Sequence, residues 1–224
     1  IPETTSVSGA KTWNDANDQD GVRPESIVIN LFADGEKIDS KTVTAKDGWK
    51  WSFTDLDVNR NGGIEIVYTI TEDEVADYTT KVNGYDVTNT HVPEEIEISG
   101  SKTWNDANNQ DGFRPETITI NLLANGNEVA EAVVGEAEGW AWTFSDLDKF
   151  ANGKEINYTI EEIEVEGYET VIDGFNVTNT HEVEKIEISG TKTWNDADDQ
   201  DGKRPESIYR AILGVLNGDV NYIL

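Results

Sequence analysis

The chain has 224 residues, with 45 acidic side chains against 17 basic ones and a formal net charge of −28. A surface that negative repels phosphate backbones and anionic lipid heads, which argues against nucleic acid and membrane surfaces as partners. There is no Cys and there are only two His, which excludes disulfides and thiolate metal sites and leaves little for a metal centre or a His-based triad.

The first predicted element is the alternating stretch IPETTSVSGAKTW, which runs into an acidic, glycine-ended turn, NDANDQDG (residues 14–21). IVINLF follows as a short apolar run, then GWKWSF, IEIVYTI and YDVTN alternate again. DG, NG and GG pairs punctuate these runs, and no stretch carries a helical stripe. The longest apolar run, AILGVL, is far short of the roughly 20 residues that span a bilayer. With no initiating Met and no signal peptide, the chain reads as a segment of a longer protein.

The pattern then repeats. Lys11, Trp13, Trp49 and Trp51 recur as Lys102, Trp104, Trp140 and Trp142, and Thr88–His91 recurs as Thr178–His181. The offset is 91 residues up to the pair Leu56/Leu147 and 90 from Ile66/Ile156 onward, so one residue drops out of a loop between them. A period near 90 suits an independent small domain. The expected organisation is repeat 1 over residues 1–92, repeat 2 over 93–182, and the incomplete start of repeat 3 over 183–224. Lys192 opens that third copy, whose last stretch, 209–224, departs from the pattern of the others. About seven short strands in 90 residues predict an all-β chain of tandem two-sheet sandwiches of immunoglobulin-like size. The joint is short and not Gly/Ser-rich, so consecutive repeats should sit close, with His91 and His181 at the joints.

Strand side chains alternate between faces. In IEISGSKTW the apolar face holds Ile96, Ile98, Gly100, Trp104 and, among them, Lys102. In repeat 1 the same face holds Val7, Gly9, Lys11 and Trp13. Along IEIVYTITE the inward series Ile64, Ile66, Tyr68, Ile70 ends on Glu72, and its counterpart ends on Glu162. In YDVTNTH the inward series Tyr85, Val87 ends on Asn89, and its counterpart on Asn179. Taken one at a time, each has a plain reading: a snorkelling Lys, a Glu at a strand exit, an Asn in a turn. Together, and twice, they place a Lys, a Glu and an Asn on inward faces of three strands, where a lone charge is costly to bury. One chemistry uses the set. Burial favours the neutral amine, a nucleophile. The Asn carboxamide is a weak electrophile, and a carboxyl group polarises it and relays protons. The product is an amide between two side chains.

The stretches ISGSKTWNDANNQDGFRPETI, GWAWTF, INYTIEE and FNVTNTH, with their counterparts in repeat 1, resemble the Cna-B domain, the B-type repeat of Gram-positive collagen adhesins. The resemblance covers about residues 1–208. It implies a seven-stranded sandwich of inverse-immunoglobulin topology on an extracellular, cell-wall-anchored surface protein. It also implies a spontaneous isopeptide bond between the first and last strands, assisted by a buried acid. Position by position this gives Lys11–Asn89 with Glu72 and Lys102–Asn179 with Glu162. The third copy has Lys192 but no matching Glu or Asn.

The acidic turn fails the EF-hand spacing. With Gly21 at the sixth position, Ala16 and Ile27 fall where ligands belong. The favoured reading is a solvated loop whose carboxylates pair with Arg23, Arg114 and Arg204; the alternative is a weak surface calcium site. No metal or other cofactor is expected. The functional expectation is a monomeric stalk or spacer whose partners are the neighbouring repeats of its own chain. The only chemistry expected is one turnover on itself, with no external substrate. A ligand-binding adhesive module that recognises a host or partner protein is the alternative.

Overall fold

The computed structural model describes residues 3–208, 212–216 and 219–223. It divides into two units, residues 1–183 and 184–224. The first unit holds both full repeats, and in each the alternating stretches become strands of two facing sheets.

Repeat 1 contains β1 (Thr4–Asn14), β2 (Ser26–Ala33), β3 (Glu36–Thr44), β4 (Lys50–Asp57), β5 (Asn59–Arg60), β6 (Ile64–Glu65), β7 (Tyr68–Glu72), β8 (Thr79–Asn83) and β9 (Asp86–Thr90). One sheet has the order β4-β1-β9-β8 and the other β3-β2-β7. These are the seven expected strands, and β5–β6 adds a two-residue hairpin at the rim. Repeat 2 reproduces the set as β10 (Glu95–Asn105), β11 (Thr117–Ala124), β12 (Asn127–Gly135), β13 (Ala141–Asp148), β14 (Phe150–Ala151), β15 (Lys154–Glu155), β16 (Tyr158–Glu162), β17 (Glu169–Asp173) and β18 (Asn176–Thr180). Its sheets are β13-β10-β18-β17 and β12-β11-β16. The residue lost between repeats lies in the rim hairpin, whose loop is residues 61–63 in repeat 1 and 152–153 in repeat 2.

The core lies between the sheets. Ile29, Leu31, Phe53 and Val87 fill it in repeat 1, and Ile120, Leu122, Phe144 and Val177 in repeat 2. The first and last strands of each repeat run parallel, with Lys11 opposite Val87 and Trp13 opposite Asn89. Gly9 makes this approach feasible, since a Cβ there would overlap the Tyr85 carbonyl oxygen. Gly100 has the same relation to Phe175. Between the repeats, Gly21 at positive φ packs against Gly153, also at positive φ. The Gly153 N–H donates to the Gln19 carbonyl at 2.9 Å.

In the second unit, Arg204 grips Asp196 at 2.7 and 3.1 Å. A hairpin of β19 (Ile212–Leu216) and β20 (Asp219–Ile223) occupies the region expected to be atypical. The side chains of 209–224 lie outside the described residues.

Candidate functional site

β1 carries Lys11 inward from one sheet, and β7 carries Glu72 inward from the other. The apolar alternation fixes both directions: Val7 and Ile70, two and one inward positions away, are core residues. The two side chains are 0% exposed, and the Lys11 Nζ donates to Glu72 Oε1 across the sandwich. Repeat 2 repeats this with Lys102 and Glu162, at 0% and 1% exposure. Burial pulls the pKa of Lys11 and Lys102 below the ordinary lysine value, and the hydrogen bond and charge of the Glu work against that pull. Each ammonium nitrogen also lies over an indole, 4.5 Å from the Trp13 centroid and 4.6 Å from that of Trp104.

Asn89 and Asn179 are fully buried. They share the inward face with the lysines, two register positions along the neighbouring parallel strand. Neither the carboxamide oxygen nor the nitrogen of either Asn makes a hydrogen bond. A buried polar atom left without a partner costs about 1–3 kcal/mol, so this is the most anomalous feature of each repeat. The six residues expected from the alternation thus occupy two matching interiors. Lys192, their counterpart in the second unit, is exposed and donates to the Thr193 carbonyl at 3.0 Å.

Sequence reasoning missed two contributors. Thr80 Oγ1 donates to Glu72 Oε2 at 2.9 Å, and Thr170 Oγ1 to Glu162 Oε2 at 3.0 Å. The signal was the two-residue hairpin loop at Gly84–Tyr85, which pairs Asn83 with Asp86 and hence Thr80 with Asn89. Tyr78 was the other. Its ring meets Trp13 edge-on at 5.0 Å, and its hydroxyl donates to Asp15 Oδ2 at 2.8 Å.

The acidic turn is committed to holding the loop. Asp15, 2% exposed, takes a bidentate pair from Arg23 at 2.6 and 2.9 Å and the Asp18 N–H at 3.1 Å. Arg23 and its hydrogen bonds hold the Asp15 carboxyl at a pKa of about 2. Asp106 makes the same contacts with Arg114, Tyr168 and the Asn109 N–H, and also sits at about 2. Asp20 turns to the joint. Its Oδ2 meets His91 Nε2 at 2.9 Å and accepts the Glu94 N–H at 2.8 Å. Lys149 of repeat 2 reaches Glu94 at 2.7 Å. The carboxylates of the turns therefore face Arg, His and backbone donors, as expected of a loop paired with Arg, but Asp15, Asp106 and Asp20 are buried rather than solvated, because these partners cover them.

The model of the Cna protein B-type domain matches residues 7–90, 98–180 and 188–219. Its third match runs beyond Ile208, where the recognisable motifs end. A collagen adhesin of Staphylococcus aureus is 45% identical over 225 residues. That alignment covers 97% of this chain and 19% of the adhesin, so the chain spans about a fifth of that relative. A crystal structure of a single B repeat unit of the collagen-binding surface protein of S. aureus is 41% identical, covering 80% of this chain and 99% of that one with a TM-score of 0.39. A structure of two such units is 42% identical, covering 80% and 49%, with a TM-score of 0.40.

Proposed function

The chain belongs to the Cna protein B-type domain family, and from that premise we propose that its complete repeats are stalk segments of an extracellular, wall-anchored bacterial surface adhesin, each closed by a Lys–Asn amide that it makes itself. The observation that carries this reading is the orphaned, fully buried carboxamide on the face of a buried Lys–Glu pair, present in both repeats.

The chemistry follows from the contacts. Glu72 Oε1 takes a proton from Lys11 Nζ and leaves a neutral amine in an apolar setting. The nitrogen lone pair forms the Nζ–Cγ bond to Asn89, and the Cγ–Nδ2 bond breaks. Nδ2 departs as ammonia after receiving a proton by way of the Glu72 carboxyl. Of the three protons that begin on Nζ, one stays on the amide, one leaves in ammonia and one rests on Glu72 until water or the departing ammonia takes it. Lys102, Asn179 and Glu162 take the same roles in repeat 2.

The bond joins the first strand to the last. It closes a span of 78 residues in repeat 1 (89 minus 11). A cross-link over that length is worth about 4 kcal/mol by the loop-entropy account of disulfides. Tension along the stalk then passes through covalent bonds and bypasses most of the sandwich, and no reductant opens the link. Neighbouring repeats are its partners through the joint at Asp20, His91 and Glu94.

The test is the intact mass of the denatured protein against the mass calculated from its sequence. Loss of two ammonias, mapped to Lys11–Asn89 and Lys102–Asn179 peptides, is expected. A full, undiminished mass would sink the self-crosslinking reading and leave a plain sandwich stalk.

A further inference from the structure

We propose that Thr80 and Thr170 are positioning residues for amide formation, each fixing the Glu carboxyl over the strand that carries the reactive Asn. The proposal rests on the self-crosslinking reading of the repeats.

The sheet order places β9 between β1 and β8. Lys11 stands on β1, Thr80 on β8, and Asn89 on the strand between them. Thr80 is directly opposite Asn89, which is directly opposite Trp13, so the three form one row on the same sheet face, buried at Asn89 and exposed at its Thr80 end. Glu72 arrives from the facing sheet and spans from Lys11, two residues before Trp13 on β1, to Thr80 at the end of the row on β8. Oε1 takes the lysine hydrogen and Oε2 takes the hydroxyl hydrogen of Thr80. One hydrogen bond alone leaves a carboxyl free to turn about its Cγ–Cδ bond, since the rotation is broad and two-fold. The second bond, from the far flank, stops that rotation. It leaves Oε1 as the oxygen that receives the Nζ proton and hands it to Nδ2. Reactions of this kind are sensitive to misplacement on the scale of an ångström. Thr170, Asn179 and Trp104 repeat the row in repeat 2, with Glu162 reaching it from the facing sheet.

The fold alone does not ask for a hydroxyl here. All five residues of β8 are exposed, and at an exposed strand position Val serves as well as Thr. In both repeats the position nevertheless holds Thr, and in both its hydroxyl points at the Glu.

The experiment follows the full chain from cell-free synthesis. The loss of each ammonia is timed by intact mass and assigned to a repeat by peptide mapping. Thr80→Val should slow cross-linking of repeat 1 roughly tenfold or more, by the strength of a hydrogen bond to a charged group. Repeat 2 in the same molecule serves as the internal clock and should keep the wild-type rate. Thr80→Ser, which restores the hydroxyl, should restore the rate. Thr170→Val should give the reciprocal pattern and carries the test if Thr80→Val fails to fold. A wild-type rate in the Val variants overturns the proposal, and so does a slowing that Ser does not rescue, which would mark a packing role. A wild-type chain that loses no ammonia fails at the earlier step, and its outcome is separate from any difference between Thr variants.

Discussion

Lys11 and Asp15 lie four residues apart at the end of one strand, and both are buried charges, yet their surroundings differ in kind. Both oxygens of Asp15 are satisfied, by Arg23, Tyr78 and a backbone N–H. Lys11 has its Glu72, but the neighbouring Asn89 has nothing for either polar atom. A fully satisfied cluster holds a loop in place. A paired charge beside an orphaned carboxamide is the arrangement expected of groups that have a reaction to complete. Repeat 2 shows the same contrast between Asp106 and Lys102, so neither arrangement is an accident of one copy.

The largest expected effect comes from Glu72→Ala. It removes the proposed proton relay, so repeat 1 should keep its ammonia while repeat 2 loses one. It also leaves a buried ammonium unpaired, a change that destabilises by about 3–5 kcal/mol. With the cross-link gone as well, repeat 1 should unfold well before repeat 2 in guanidinium, as two separate transitions. A Glu72→Ala chain that still loses two ammonias would remove the carboxyl from the mechanism.

Asp15→Asn tests the other side. The shape is kept, but the bidentate partner of Arg23 loses its charge. About 2–3 kcal/mol of stability should go, the range for hydrogen bonds to charged groups in a good geometry. Ammonia loss should be unchanged in both repeats. If intact mass showed slower cross-linking, the two clusters would be one coupled unit rather than two.

Acid sharpens the contrast further. Asp15 and Asp106 have pKa values near 2 in the folded chain, below their unfolded value of 3.8. The folded values are depressed, so the stabilisation is fully present above pH 3.8 and is lost as pH falls towards 2. It amounts to about 2 kcal/mol for each Asp. A closed Lys–Asn amide carries no charge to titrate. Thermal unfolding between pH 4 and 2 should therefore weaken Arg23→Ala chains less than the wild type, since they have already lost that pair.

Much of this was readable from alternation. A period of two, followed along three strands, put Lys11, Glu72 and Asn89 inward before any pairing was known, because a slip of one residue would have exposed Val7, Ile70 and Val87. The seven strands followed from the same pattern. What alternation within single strands did not give is which strands are neighbours. The contact of Thr80 with Glu72 depends on β8 flanking β9, and that is a property of the hairpin, outside the pattern of the strand itself. Tyr78 was missed for a related reason. It lies just before β8 in a loop, where no periodicity assigns a face. The Asp15–Arg23 pairing was seen only as a class of contact between turn and Arg, because a loop of this length sets its partners by backbone turns that the sequence names loosely.

The joint between repeats holds a third charged cluster, intermediate between the other two, and the smallest effect is expected there. His91 presents Nδ1 to the Asp77 carbonyl at 2.9 Å and Nε2 to Asp20 at 2.9 Å. Both partners are acceptors, so both bonds form only when the ring is an imidazolium. Asp20 is the main cause of a pKa raised above the usual 6.5. A raised folded value means the contribution is complete below pH 6.5 and fades as pH rises through that value. His181 is raised too, but there the Gly167 carbonyl leads and Asp111 comes second. The two rings should therefore answer differently to the same change. In an NMR titration of the imidazole signals, Asp20→Asn should bring His91 back towards 6.5, whereas Asp111→Asn should move His181 less. Equal shifts would mean that the carboxylate governs both rings alike. A His91 that titrates at 6.5 in the wild type would mean that Asp20 is held by the Glu94 N–H alone, and that the joint is indifferent to protonation.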